Sequence, residues 1–236
     1  MTTYIHHHLG LGDHIVCNGL VRSIATRGDV VVFCKEQNFN NVEFMYRDAD
    51  NIKVFPIPSG KDEHEFTTMV AGERLMSIGF HPMYILSLSN KGKAFDELFY
   101  LAADVDYSER FDGFYMERDM GEEERVYDKL VWGGEYIFVH DDHNRCDEYN
   151  EDGYIIDVKT NLRIIRNDMS ERLFSMGLVI ERAKEVHLME SSLKCYVEHL
   201  TLSGELFFHP IRKYTYPTLT ADNTRHKWTI VENLIS

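Results

Sequence analysis

The sequence predicts an α/β protein made of two facing domains, each with a largely parallel sheet, and three observations carry that expectation. Short β-branched and aromatic runs, such as Asp29-Val-Val-Val-Phe-Cys34, are almost wholly apolar, as strands covered on both faces of a parallel sheet must be. These runs alternate with stretches whose apolar residues recur at helical spacing. Between Asp104 and Arg125 the alternation lapses, acidic and aromatic residues crowd together around Glu122-Glu123-Glu124, and a second series then begins. The domain boundary is placed there, giving residues 1–110 and 111–236.

In the first half, residues 4 to 27 read as a strand, a glycine-bracketed turn and an amphipathic helix that opens on Asp13 and is buried through Val16, Leu20 and Ile24. The strand 29–34 follows. A helix over 36–47 carries Phe39, Val42, Phe44, Met45 and Tyr46, and a third strand covers Ile52 to Pro56, completing a βαβαβ order. Phe66, Met69, Val70, Leu75 and Met76 predict a helix over 62–78, with a strand at 83–87 and a short helix at 95–103. The second half reads as strand 135–140, polar loop 141–152, strands 154–159 and 162–166, helix 171–184, strand 185–189, helix 192–201 and strand 205–209. Residues 224–236 are expected to form a last helix returning to the first domain. Both halves are therefore read as Rossmann-like layers with a cleft between them.

Bulk properties exclude several classes. The chain has 236 residues, 44% apolar and 12% aromatic, ample for folded cores. No stretch approaches the roughly 18 to 20 uninterrupted apolar residues of a membrane span. The histidine-rich start lacks the apolar h-region of a secretory signal, so a cytoplasmic location is expected. A formal charge of −14 argues against general nucleic-acid binding, which requires clustered Lys and Arg. Cys17, Cys34, Cys146 and Cys195 form no Cys-x-x-Cys pair and are expected to be reduced, mostly buried thiols. No Gly-x-Ser-x-Gly elbow and no Walker loop is present. Oligomeric state is not legible.

Three segments carry candidate chemistry. In Gly10-Leu11-Gly12-Asp13, glycine permits backbone angles and close approaches that a side chain would block. Asp13 is expected near the N-cap of the following helix, at the carboxyl edge of a sheet; it is either a capping acid or a reacting carboxylate. Ile15 stands where a dinucleotide fingerprint has its third glycine. In Glu190-Ser191-Ser192, ahead of Leu193, Tyr196, Val197 and Leu200 at helical spacing, two hydroxyls and a helix start can cradle nucleotide phosphates while Glu190 accepts from ribose hydroxyls. The alternative is an ordinary serine cap. The polar loop His140-Asp-Asp-His-Asn-Arg-Cys146 follows the first strand of the second half. His6, His7, His8, His140 and His143 invite a metal reading, but no Glu-x-x-His or cysteine pattern supports it; His6 and His8 are read as hydrogen-bond donors to sugar hydroxyls on the acceptor side, and no metal is expected. His14, beside Asp13, is a candidate to orient the acceptor.

Leu9-Gly-Leu-Gly-Asp13, followed by Asn18-Gly-Leu-Val-Arg-Ser-Ile24 and by a late strand ending in an acid-Ser-Ser turn and a helix, resembles the ADP-heptose:lipopolysaccharide heptosyltransferases and related GT-B glycosyltransferases. The resemblance implies a GT-B-like fold and a metal-independent, inverting transfer of sugar from a nucleotide-diphosphate donor to a glycan hydroxyl, with no cofactor. On that basis Asp13 is the general base, and Gly10, Gly12, His140, Arg145, Glu190, Ser191, Ser192 and Lys194 surround the donor and its phosphates. Arg145 is favoured because its planar fork can bind phosphate bidentately, with Arg163 and Arg166 as second choices; the alternative is a surface arginine paired with nearby carboxylates. Glu190-Ser-Ser-Leu replaces the family's Asp-Ser/Thr-Gly with a following His, and His6-His-His8 replaces an apolar strand end; both departures point to a sugar other than heptose. A nucleotide-sugar 2-epimerase of GT-B fold and a non-catalytic nucleotide- or glycan-binding module are the alternatives.

Overall fold

The computed structural model describes residues 2–79, 93–142, 153–210 and 224–231. It divides into two compact units, the first running to Glu117 and the second beginning at Arg118.

In the first unit the chain runs β1 (Thr3–His6), α1 (Leu11–Val16), α2 (Asn18–Ala25), β2 (Val30–Lys35), α3 (Phe39–Met45), β3 (Ile52–Ile57), α4 (Glu63–Ala71) and β4 (Leu75–Ser77). These strands form a sheet in the order β3-β2-β1-β4, parallel throughout. The apolar run of β2 is internal to the sheet, with Val30, Val32, Phe33 and Cys34 buried. Helices α5 (Phe95–Ala102) and α6 (Glu109–Asp112) follow.

The single helix expected after the glycine turn is broken at Cys17, whose N–H still donates to the Asp13 carbonyl (2.9 Å). Tyr100 donates its hydroxyl to the Val16 carbonyl at the break (2.7 Å). Beyond it, α2 lies so close to α6 that a Cβ on Gly19 would stand 1.8 Å from the Glu109 carbonyl oxygen. Arg22 on the same helix pairs with Asp48 (2.7 Å) and lies near the Tyr46 and Tyr115 rings, at 5.6 and 5.2 Å. Asn18 accepts from the Tyr115 N–H (3.0 Å), tying the end of the unit back to α2.

The helix predicted over 62–78 stops at Ala71. Gly72 takes φ +56°, which a helix cannot continue through, and Leu75 and Met76 become strand β4 against Tyr4 and Ile5. Their helical spacing was outweighed by a vacant position beside β1. The strand expected at 83–87 lies outside the described residues.

The second unit runs α7 (Met120–Leu130), β5 (Tyr136–His140), β6 (Arg163–Arg166), a 3-10 turn at Leu173–Met176, α8 (Gly177–Glu181), β7 (Glu185–Met189), α9 (Ser192–Val197), β8 (Glu205–His209) and β9 (Trp228–Ile230). Its sheet, again all parallel, has the order β6-β5-β7-β8-β9. All five residues of β5 are buried, as befits a central strand.

Three expectations are corrected here. Residues 154–159 form no strand: Tyr154 makes one antiparallel bridge with Asp142, and Tyr154 and Ile156 instead pack on Ile137, Val139 and Met189. The helix read over 171–184 is only the 3-10 turn and α8, where Gly177 is so near Glu123 Oε2 (2.4 Å from a hypothetical Cβ) that any side chain would displace that carboxylate. That carboxylate also accepts from the Leu178 N–H and pairs with Arg118, which bridges to Glu181 (2.7 Å). Finally, the described part of 224–236 is strand β9, not a helix. Buried Glu198 accepts from the Trp228 indole N–H (2.8 Å) and the Arg225 N–H (2.7 Å), which holds β9 beside β8.

The Gly19 contact generates a test. In an open helix Gly→Ala stabilises by roughly 1 kcal/mol, but Gly19→Ala is expected to destabilise by about 1–3 kcal/mol through overpacking against α6. Urea-unfolding midpoints of the two proteins read the sign directly.

Candidate functional site

In open parallel sheets, ligands gather at the carboxyl ends of strands where the strand order reverses, because adjacent loops leave in opposite directions and open a crevice. In the first sheet that reversal falls between β1 and β4, whose ends are paired at His6 and Ser77. In the second it falls between β5 and β7, paired at His140 and Leu188. The segments leaving these points are residues 7–13 in one unit, and Asp141-Asp142 and Glu190-Ser191 in the other.

In the first segment Gly10 is the N-cap, with φ −68° and ψ 145° and no capping side chain, and α1 begins at Leu11. Asp13 is therefore the third residue of the helix rather than its cap. Half-buried in the first turn, its carboxylate lies at the positive end of the helix dipole. His14 points inward and is fully buried, its ring edge-on to that of His7 at 4.4 Å between centroids. His7 donates its Nδ1–H to the His8 carbonyl, and among the described residues its Nε2 and both nitrogens of His14 meet no hydrogen-bond partner. His6 is buried with Nδ1 3.4 Å from Thr67 Oγ1, whereas His8 is half-buried against Phe95 and Phe99. Asp13 and His8 are each partly exposed, whereas His6 and His14 are buried in the interior.

Burial penalises the charged imidazole and pushes His7 down to about 4 and His14 well below the ordinary histidine range, with the neighbouring His7 adding to the effect on His14. His6 and His8 are lowered by burial against a smaller opposing pull from Glu63.

In the second unit His140 ends β5 and is buried. Asp141 accepts from the Ile156 N–H (3.1 Å) and pairs with Arg166, so that arginine is engaged in holding the 154–156 segment. Arg163 donates to the Leu130 carbonyl (2.7 Å) near the Trp132 ring. His143 and Arg145 lie outside the described residues. Ser191 caps α9, its hydroxyl accepting from the Lys194 N–H (3.3 Å), while Ser192 opens the helix and Lys194 is buried with Nζ 5.9 Å from the Phe208 ring centre. Glu190 is buried at the end of β7.

One polar chain escaped the sequence reading. Glu185 Oε2 stands 3.0 Å from His187 Nε2, and His187 Nδ1 stands 3.0 Å from His209 Nε2, with the His187 ring stacked on Phe207 at 4.5 Å. A carboxylate can only accept, so His187 presents Nε2–H to Glu185, and its Nδ1 shares a hydrogen bond with His209 Nε2. The signal was available in the i, i+2 spacing of Glu185 and His187 on one strand face, but nothing in the sequence pairs that strand with His209.

Among the described residues no group of three or more His, Cys, Asp and Glu could hold a metal ion, and no helix is long and apolar enough to cross a membrane. Cys17, Cys34 and Cys195 are thiols rather than disulfide sulfurs, and burial pushes the Cys34 thiol up to about 12.

Two solved structures share this architecture. A glycosyl transferase of family 9 from Veillonella parvula superposes with a TM-score of 0.58 at 9% identity, over 100% of this chain and 87% of that one. The ADP-heptose lipopolysaccharide heptosyltransferase II of Escherichia coli gives 0.51 at 12% identity, over 98% and 90%. No protein-family model and no curated protein sequence matches the chain. The two-unit α/β fold with parallel sheets is thus one shared with these two glycosyltransferase structures.

The buried imidazoles make the first unit acid-sensitive. Below the unfolded histidine value of about 6.5 the unfolded chain takes up protons that the folded one refuses, so stability falls as pH drops toward 4; for His7 alone the full loss is on the order of 3 kcal/mol. Chemical denaturation from about pH 7 down to about pH 4 should show this decline, and His14→Phe, which removes one titrating ring, should flatten it.

Proposed function

We propose that this protein is a glycosyltransferase that moves a sugar from a nucleotide-diphosphate donor to a glycan hydroxyl, inverting the anomeric centre without a metal. The observation that carries the reading is the Asp13 carboxylate in the first helical turn after β1, at the order reversal of a sheet whose fold is shared with a family 9 glycosyl transferase and a heptosyltransferase.

In the proposed reaction Asp13 takes the proton of the acceptor hydroxyl as its oxygen attacks the anomeric carbon. The bond from that carbon to the phosphate oxygen breaks, and the nucleotide diphosphate leaves with the electron pair. His8, partly exposed on the segment that leads from β1 to Asp13, is the candidate to contact the acceptor. On the donor side, Glu190 is assigned to the ribose hydroxyls. Ser192 and the backbone N–H groups opening α9 are assigned to the phosphates, together with Arg145 and His140. Fixed N–H dipoles can stabilise charge on a departing diphosphate without a cation. The sugar, the nucleotide base and the acceptor depend on pocket side chains that fold likeness does not transmit.

Asp13→Asn is expected to lower transfer by about 10²- to 10⁴-fold, the usual worth of a general base, with donor binding retained. A radiolabelled-sugar transfer assay beside donor calorimetry tests both halves, and transfer at the wild-type rate removes Asp13 as the base. A thermal-shift screen of nucleotide diphosphates and their sugars should identify the donor, since a ligand at about 100 times its Kd adds about 2.7 kcal/mol. Conversion of donor sugar without any acceptor would mark an epimerase, and binding without turnover over a broad panel a non-catalytic module.

A further inference from the structure

We propose that Gly10 is a positioning residue for the Asp13 carboxylate, and that the turn needs its missing side chain rather than its backbone freedom. The inference rests on the reading of Asp13 as base and extends it to the residue that sets where the base can stand.

Gly10 has φ −68° and ψ 145°, extended values that alanine adopts without strain. The backbone angles that glycine alone tolerates are therefore not in use here, in contrast to Gly60 and Gly72, with φ +81° and +56° and open space where a Cβ would be. At Gly10 the opposite holds. A Cβ there would stand 2.7 Å from Asp13 Oδ2 and 3.7 Å from its carboxyl carbon, and among the described residues, chain neighbours apart, it would meet no other atom within 4 Å. A methyl group at this one position thus collides with the carboxylate and nothing else.

The main chain cannot absorb the collision cheaply. The His14 N–H donates to the Gly10 carbonyl (3.1 Å), the Cys17 N–H to the Asp13 carbonyl (2.9 Å), and the His14 ring is wedged in the interior against His7. These contacts fix the backbone on both sides of Asp13, so the side chain must rotate instead. Ordinary contact requires the oxygen to retreat by roughly half an ångström or more, and a displacement of about 1 Å in a reacting group can cost on the order of a hundredfold in rate.

The experiment measures kcat and KM for transfer in the wild type, Gly10→Ala, Asp13→Asn and the double variant, beside urea midpoints. The expected result is a kcat lowered by about ten- to a hundredfold in Gly10→Ala, with the donor KM and the midpoint unchanged, and a double variant no slower than Asp13→Asn alone. Wild-type kcat in Gly10→Ala, or losses that multiply in the double variant, would overturn the proposal. The Asp13 carboxyl ¹³C resonance, assigned by its absence in Asp13→Asn, separates this inference from the reading beneath it. Should the wild type itself transfer no sugar, or Asp13→Asn transfer at full rate, the base assignment fails, yet a shifted resonance in Gly10→Ala still supports the positioning and an unmoved one refutes it.

Discussion

Every strand pairing among the described residues is parallel, and much of the molecule follows from that constraint. Parallel neighbours cannot be joined by a tight turn, so the chain must cross over the sheet between them, and the carboxyl ends of all strands in a sheet open on one edge. Where the order reverses, between β1 and β4 in one sheet and β5 and β7 in the other, loops diverge and leave backbone N–H groups and polar side chains uncovered. Asp13 and the Glu190-Ser191 turn are at such edges because of connectivity, each in its own unit.

The two units treat their polar residues differently at these edges. In the second, the polar groups largely serve the local chain: Ser191 caps α9, and Asp141 holds Arg166 and the Ile156 N–H. In the first, His7 and His14 lie buried with three ring nitrogens that meet no partner among the described residues, on the same turn as the residue assigned to proton transfer. Such groups are costly in an interior, and burial keeps both rings neutral. The pair fills the space under the turn with stiff aromatic surface, helped by Phe99 at 6.1 Å from His7, and leaves Asp13 on a backbone with little freedom.

Strands with nearly continuous apolar runs were readable at close to their true bounds, because a short run of β-branched and aromatic residues suits a strand covered on both faces; Val30–Lys35 and Tyr136–His140 are instances. Helix ends were harder. Leu75 and Met76 fit a helical face as well as a strand, and only pairing with β1 decided between them. Tyr154 to Lys159 has strand-like composition but lies over Ile137 and Val139 as an irregular cover. Asp13, Glu190 and Ser191 could be nominated because acid and hydroxyl at a strand-to-helix turn have a local signature. The inward turn of His14 and the Glu185–His187–His209 chain could not, since each depends on a partner distant in sequence or on which side of a helix faces the core.

What the amino-acid order settled alone was therefore the class of the fold, two α/β series of mostly parallel strands, together with the turns worth inspecting. Periodicity and glycine placement act over a few residues and need no partner to be seen. The tertiary structure decided the strand orders and the conversion of a supposed helix tail into β4 and of the chain's late segment into β9. Those outcomes turn on which surfaces meet and on distances of a few ångströms between atoms far apart in the chain, quantities that local pattern does not encode.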